Sequence, residues 1–183
     1  LGYPAAYIMA MADFKTPQVM AMLFILPMWI NFLLRTIATV ELFRMFGLPL
    51  GEGALLFGMV YDFLPFMIYP IYNTLQKMDT SLIEAAHDLG AKRSQVFMKV
   101  TLPLSVPGIY SGIVMVFMPT VSTFAIAELL THNKVTLFGS LIQRCFGEGG
   151  IAMWNYGAAL SLIMLIIIGL TSFFGGDKED INR

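Results

Sequence analysis

Charge is scarce in this chain: only 13% of its 183 residues are charged, against roughly 25% in soluble domains. The 11 basic and 12 acidic residues leave a net charge of -1 with no long run of either sign, so there is no electrostatic footprint for nucleic acid. Cysteine occurs once, as Cys145, which excludes an intrachain disulfide framework and a CxxC metal or redox site. Both histidines, His87 and His132, lack a second ligand at zincin-like spacing, so no metal site is expected. No Ser-His-Asp constellation is inferable, which counts against an enzyme. The phosphate-binding pattern G-x-x-x-x-G-K-[ST] is missing, so this chain supplies no phosphate loop for ATP. Its first residues, LGYPAAYIMAMADFK, carry no basic region and no clear cleavage site and are not read as a signal peptide.

What remains is apolar. Hydrophobic residues make up 57% of the chain, with a mean hydropathy of +0.74. A membrane-spanning helix needs about 20 mainly apolar residues. Four stretches meet that length, approximately 18–38, 54–75, 106–130 and 156–174, and residues 1–12 form a half-length fifth. The predicted fold is an all-α, polytopic helical bundle in a membrane, one domain over 1–183, in contact with lipid. Pro65 and Pro70 fall inside the second long stretch and predict a kink there. The fourteen methionines read as packing in an apolar interior.

Orientation follows from the basic residues of the short loops, which are retained on the cytoplasmic side. Lys15, Lys77, Lys92, Arg93, Lys99, Lys178 and Arg183 fall on one side; Arg44, Lys134 and Arg144 fall on the other, with Arg35 near a helix end. The connector 76–105 is therefore expected in the cytoplasm. Trp154 and Tyr156 then lie at the outer interface.

That connector contains EAAHDLGAKRSQVFMKVTLPL, a polar, helix-prone island between two nearly uncharged stretches. Ser81 and Glu84 have capping-box spacing and predict a helix start. Gly90 falls where a left-handed residue would end the helix, and Ser94 is placed to cap a second one. Pro103 and Pro107 are expected to stop the pattern before the next span. Ala85 and Ala86 keep one side of the first helix small, which permits close approach by another surface. The island reads either as a docking element or as an amphipathic connector on the membrane.

The same stretch resembles the EAA loop of bacterial ABC-importer permeases, whose pattern is E-A-A, three residues, G, nine residues, I, one residue, L-P. Glu84, Ala85, Ala86, Gly90, Leu102 and Pro103 match, and Val100 replaces the isoleucine. LGYPAAYIMA, LPMWINFLLRT, YDFLPFMIYPIYNTLQKMD and MPTVSTFAIAELL are similar to successive membrane segments of spermidine/putrescine importer permeases. The resemblance implies a multi-pass protein of the bacterial inner membrane and a second permease subunit beside it. It also implies two cytoplasmic ATPase subunits that hold ATP and magnesium, and an extracytoplasmic substrate-binding protein. In such a complex the first island helix seats in a cleft of the ATPase, Glu84 meets a basic group there, and Gly90 makes the turn. Permeases of this type have six spans, so the chain is read as lacking its first.

The implied substrate is a polyamine, with iron, thiamine, opines or an anion as alternatives, and a non-transporting scaffold as a further one. Ionisable residues inside spans are costly and are functional candidates by default. Asp62, Phe66, Tyr69 and Asn73 recur at i, i+4, i+7 and i+11 and so share one helical face. A carboxylate and aromatic faces suit an extended aliphatic cation. The same spacing also fits a buried aspartate bonded to a neighbouring helix, with ordinary aromatic packing. Glu41 and Glu128, near outer helix ends, either attract a cation or reach for the interface. Arg35 either pairs with an acidic group or touches substrate.

Overall fold

A computed structural model describes residues 1–11, 17–132, 134–147 and 150–176, and among these there is no β-strand. The helices are α1 (Gly2–Met11), α2 (Pro17–Ile25), α3 (Phe32–Met45), α4 (Glu52–Gln76) and α5 (Ser81–Asp88). They continue as α6 (Arg93–Val96), α7 (Leu102–Ser122), α8 (Ala125–Thr131), α9 (Phe138–Gly147) and α10 (Gly150–Gly176). Three stretches are long and apolar enough to span a membrane: Glu52–Gln76, Arg93–Ser122 and Met153–Ser172.

The central element is α4. It continues as one helix through Pro65 and Pro70 and is touched by α1, α2, α3, α7 and α8. One buried cluster joins Ala6 and Met9 of α1 to Ile68, Ile71, Tyr72 and Leu75 of α4. A second, toward the other end of α4, joins Val40 of α3, Ala54 and Leu55 of α4, and Ile126, Ala127 and Leu130 of α8. Between them α4 presents Asp62, Phe63 and Phe66. By contrast α10 packs on α9 and α7 and leaves Leu162, Leu165 and Leu170 uncovered. Such an apolar face is at rest in hydrocarbon, where a helix satisfies its own backbone.

Glycines set how closely α7 approaches α4. Gly108 and Gly112 are buried in a G-x-x-x-G spacing. A Cβ at Gly108 would lie 2.7 Å from Thr74 Cβ and 2.9 Å from Pro70 O, and one at Gly112 would lie 3.2 Å from Met67 O. With lipid on the outside as apolar as the side chains, close backbone approach supplies the van der Waals contact that holds such helices together.

Two expected spans are interrupted. The stretch expected over 18–38 bends by 98° between Met22–Trp29 and Phe32–Met45. Leu26–Trp29 tightens into a 3-10 turn with Pro27 near its start, Ile30 is extended, and Asn31 restarts the helix by accepting the Leu33 N–H at 2.9 Å. The stretch expected over 106–130 breaks at the extended Thr123 and continues as α8.

In the island the opposite occurs, because Pro103 and Pro107 do not stop the helix. Phe97–Thr101 form a π-turn in which the Leu102 N–H bonds back to Phe97 O. This wider turn re-spaces the backbone just before Pro103, which has no N–H to contribute. Helix thus runs from Arg93 to Ser122.

Replacing Gly108 with alanine is expected to destabilise the α4–α7 contact by about 1–3 kcal/mol through overpacking. Gly169→Ala, at an α10 position with nothing within 4 Å of the added Cβ, serves as the control. Melting of the detergent-solubilised protein should fall for the first and hold for the second; equal melting would refute the close-approach reading.

Candidate functional site

The two helix breaks meet the middle of α4, and a cleft of about 590 Å³ opens there. From the bend come Trp29, Asn31 and Phe32, and from α3 itself Arg35. Phe63 and Phe66 of α4 form the opposite wall, while Pro119, Ser122 and Thr123 with Phe124 close it from the α7–α8 break. Five aromatic rings thus share the lining with the carbonyl end of the 21-residue helix α7, which carries partial negative charge. The facing amino end of α3 is capped by Asn31. Gly139 of α9 sits against the break: a Cβ there would lie 2.5 Å from Ser122 O and 2.7 Å from Thr123 O.

Asp62 does not face this cleft as a free carboxylate. It is only 1% exposed and pairs with Arg35 of α3, Oδ1 to Nε at 3.3 Å. Thr36 Oγ1 lies 3.2 Å from Asp62 Oδ2 and 2.9 Å from Phe32 O, so its single proton is shared between them. The Arg35 guanidinium, 7% exposed, also lies over the Tyr61 ring at 5.8 Å. Of the two readings of the Asp62 face, the geometry matches a buried aspartate bonded to a neighbouring helix. Phe66 lines the cleft, Tyr69 is exposed and Asn73 half-buried, so the four residues do not form one continuous surface.

The other carboxylates stand apart. Glu41 is exposed and pairs with Arg44 one turn on, at 3.0 Å. Glu128 is exposed in the first turn of α8, outside the cleft lining. Among the described residues no group of three His, Cys, Asp or Glu is placed to hold a metal ion.

The island offers the second site. No residue of α5 is fully buried: Ile83 and Ala86 are half-buried on the side that meets α6 and the π-turn, and Glu84 and Ala85 are exposed. Gly90 has φ +80° and closes α5 in a full Schellman motif: its N–H bonds to His87 O at 2.8 Å and that of Ala91 to Ala86 O at 3.1 Å. Leu102 is half-buried and Pro103 exposed where the island passes into α7. The caps differ from those expected. Asp79, rather than Ser81, holds the start of α5, accepting the Ser81 N–H at 2.9 Å. Gln95, rather than Ser94, caps α6 by accepting the Lys92 N–H at 2.9 Å. Asp79 lies two residues upstream and wins because its carboxylate reaches the first free amide directly; Glu84 is left without a structural task in the cap.

Sequence spacing did not show that the bend and the α7–α8 break face each other, although Pro27 and Asn31 signal the first. Arg35 stands out in the sequence as a cation near a helix end, but its partner lies 27 positions away on another helix, and nothing local announces it.

The family model described as "Binding-protein-dependent transport system inner membrane component" matches residues 2–176. The chain is 35% identical to the spermidine/putrescine transport system permease protein PotB of Escherichia coli K12, over 93% of its own length and 67% of that protein's. To PotB of Haemophilus influenzae it is 34% identical, over 94% of the chain and 66% of the relative. The chain thus spans about two thirds of the length of these relatives. A chain of the MetNI methionine ABC transporter, solved in inward-facing conformations, superimposes with a TM-score of 0.71 at 21% identity. That match covers 96% of this chain and 82% of the other, and establishes a common fold.

The Asp79 cap makes the start of α5 pH-sensitive. Hydrogen bonds from Ser81 hold the Asp79 carboxyl below its ordinary value. A depressed folded value means the cap's contribution is present above the unfolded-state pKa and is lost as pH falls through the folded one. Amide exchange at Ser81–Ile83, corrected for intrinsic rates, should accelerate at acid pH and, for Asp79→Ala, at neutral pH as well. Unchanged protection in Asp79→Ala would transfer the capping role elsewhere.

Proposed function

The chain belongs to the family of binding-protein-dependent transport system inner membrane components, and from that premise we propose that it forms half of a polyamine pathway in an ATP-driven importer. The observation that carries the substrate class is the aromatic cleft at two broken helices, in a chain 35% identical to spermidine/putrescine permeases. Irregular backbone at membrane depth is tolerated where it lines a cavity, and transporters place substrate at such interruptions. Ring faces and the carbonyl end of α7 attract ammonium groups without a deep charged trap, so binding supports passage as well as capture. Phe66 lies in that lining. Tyr69, Asn73, Glu41 and Glu128 lie outside it, where the acidic pair can serve only to concentrate cations.

Energy comes from partner chains. ATP and magnesium are held by two ATPase subunits on the cytoplasmic side, a second permease subunit completes the pathway, and an extracytoplasmic binding protein delivers substrate. The exposed α5 helix is the element that docks on an ATPase. Glu84 is available to a basic group there, Ala85 and Ala86 permit close approach, Gly90 sets the exit angle, and Leu102 and Pro103 join the loop to α7.

In proteoliposomes holding the intact transporter, labelled spermidine and putrescine should accumulate only with ATP and the binding protein present. Preference for an anion, iron, thiamine or an opine would overturn the substrate class. Gly90→Val imposes a left-handed conformation costing about 1–2 kcal/mol on a β-branched residue. Membrane insertion should survive while uptake and substrate-stimulated ATP hydrolysis are lost together. A Gly90→Val transporter with parental stimulated hydrolysis would remove α5 from the docking role.

A further inference from the structure

The Arg35–Asp62 pair is buried yet incompletely bonded. Asp62 Oδ1 and Arg35 Nε approach to 3.3 Å without hydrogen-bond alignment, and Arg35 Nη1 has no partner either. A buried ion pair offsets the desolvation of its charges only with good geometry and further hydrogen bonds. This pair leaves three polar atoms unsatisfied, so stability is a poor account of it.

Position gives a better account. Arg35 lines two clefts at once: the aromatic one, beside Phe63 and Phe66, and a second of about 510 Å³ formed with Leu34, Thr39, Phe57 and Tyr61. The guanidinium therefore stands as a partition between them, with Asp62 behind it and the Tyr61 ring on its far side. On the polyamine reading, which this inference extends, we propose that Arg35 and Asp62 form an exchangeable ion pair: a substrate ammonium in the aromatic cleft takes Asp62, and the guanidinium, already over the Tyr61 ring, stays on that ring in the second cleft. Each charge keeps a partner throughout, because the ring face remains with Arg35 when the carboxylate leaves it. Competition from Arg35 subtracts from the affinity of Asp62 for the substrate, which keeps the station shallow enough for release. Arg35 is then a specificity-determining residue, because a neutral solute gains nothing by displacing it.

The test uses the intact transporter in proteoliposomes, with initial uptake of labelled spermidine measured against concentration and melting of the purified complex recorded alongside. Arg35→Met/Asp62→Leu removes both charges and is expected to melt near the parent, since apolar replacement of a buried pair is tolerated. Its uptake should nevertheless fall about tenfold, the loss of one charge-assisted contact. Tyr61→Leu keeps the pair and removes the ring that holds Arg35 once Asp62 is taken, so KM should rise several-fold with melting unchanged. A double variant that melts and transports like the parent makes the pair structural and overturns the proposal. Should the double variant fail to assemble, parental kinetics in Tyr61→Leu overturn it instead. Absence of spermidine uptake by the unaltered complex would sink the substrate reading, and this proposal with it; parental variants in a spermidine-competent complex sink the proposal alone.

Discussion

In hydrocarbon no water is present to satisfy a backbone amide or carbonyl, so every interruption of a helix must be repaired by the protein itself. The site is organised by that constraint. At the bend, Asn31 turns its side chain onto the Leu33 amide. At the end of α7, Thr120 donates to Val116 O, and Ser122 Oγ lies 3.2 Å from both Met118 O and Pro119 O. The Ser122 and Thr123 carbonyls lie against Gly139 of α9, where no side chain would fit. The side-chain repairs at Asn31, Thr120 and Ser122 are polar and local, and the opening they leave has aromatic walls. The cleft is a place where regular backbone has been given up under supervision of nearby side chains.

Packing explains why the opening lies where it does. The two buried clusters grip α4 near its ends, and Gly58, Gly108 and Gly112 allow α8 and α7 to press closely on it. Between these grips the half-buried rings of Phe63 and Phe66 meet edge to face with centroids at 6.4 Å and line the cleft. The Arg35–Asp62 pair occupies the same interval and is the polar tie from α3 to α4 there. A charged pair in that position is tolerable because both groups are buried in protein and neutralise each other.

How much of this was legible varies with the range of the signal. The helices α4 and α10 follow from apolar length alone, and the turn at Gly90 from a glycine at helix-ending spacing. The G-x-x-x-G at Gly108 and Gly112 was present in the sequence as a packing signal. The cap of α5 differs from the expected one because Ser81 and Asp79 both suit a helix start, and which reaches the first amide depends on backbone geometry that spacing does not encode. Hydropathy averages over a window and passes smoothly across Ile30 and Thr123, so breaks in 18–38 and 106–130 vanish in it. The partner of Asp62 was illegible for a different reason: the pairing depends on how α3 leaves its bend, which is a tertiary fact.

The continuous helix from Arg93 to Ser122 connects the two sites physically. At 1.5 Å per residue its 30 residues extend about 45 Å, from the island beside α5 to the wall of the cleft. A rod of that kind transmits displacement at one end to the other, provided that it bends only where its hydrogen bonding is already weakened. The π-turn and Pro103 supply such points in its first half, Pro107 at its middle and Pro119 near its far end. On the proposed reading, movement of an ATPase against α5 passes through the π-turn into α7 and arrives at Ser122 and Thr123. These residues face Arg35 and Phe66 across the aromatic cleft. Widening or narrowing that gap changes the room available to a substrate ammonium and to the guanidinium in the same stroke, so the mechanical event and the exchange of ionic partners are two descriptions of one displacement.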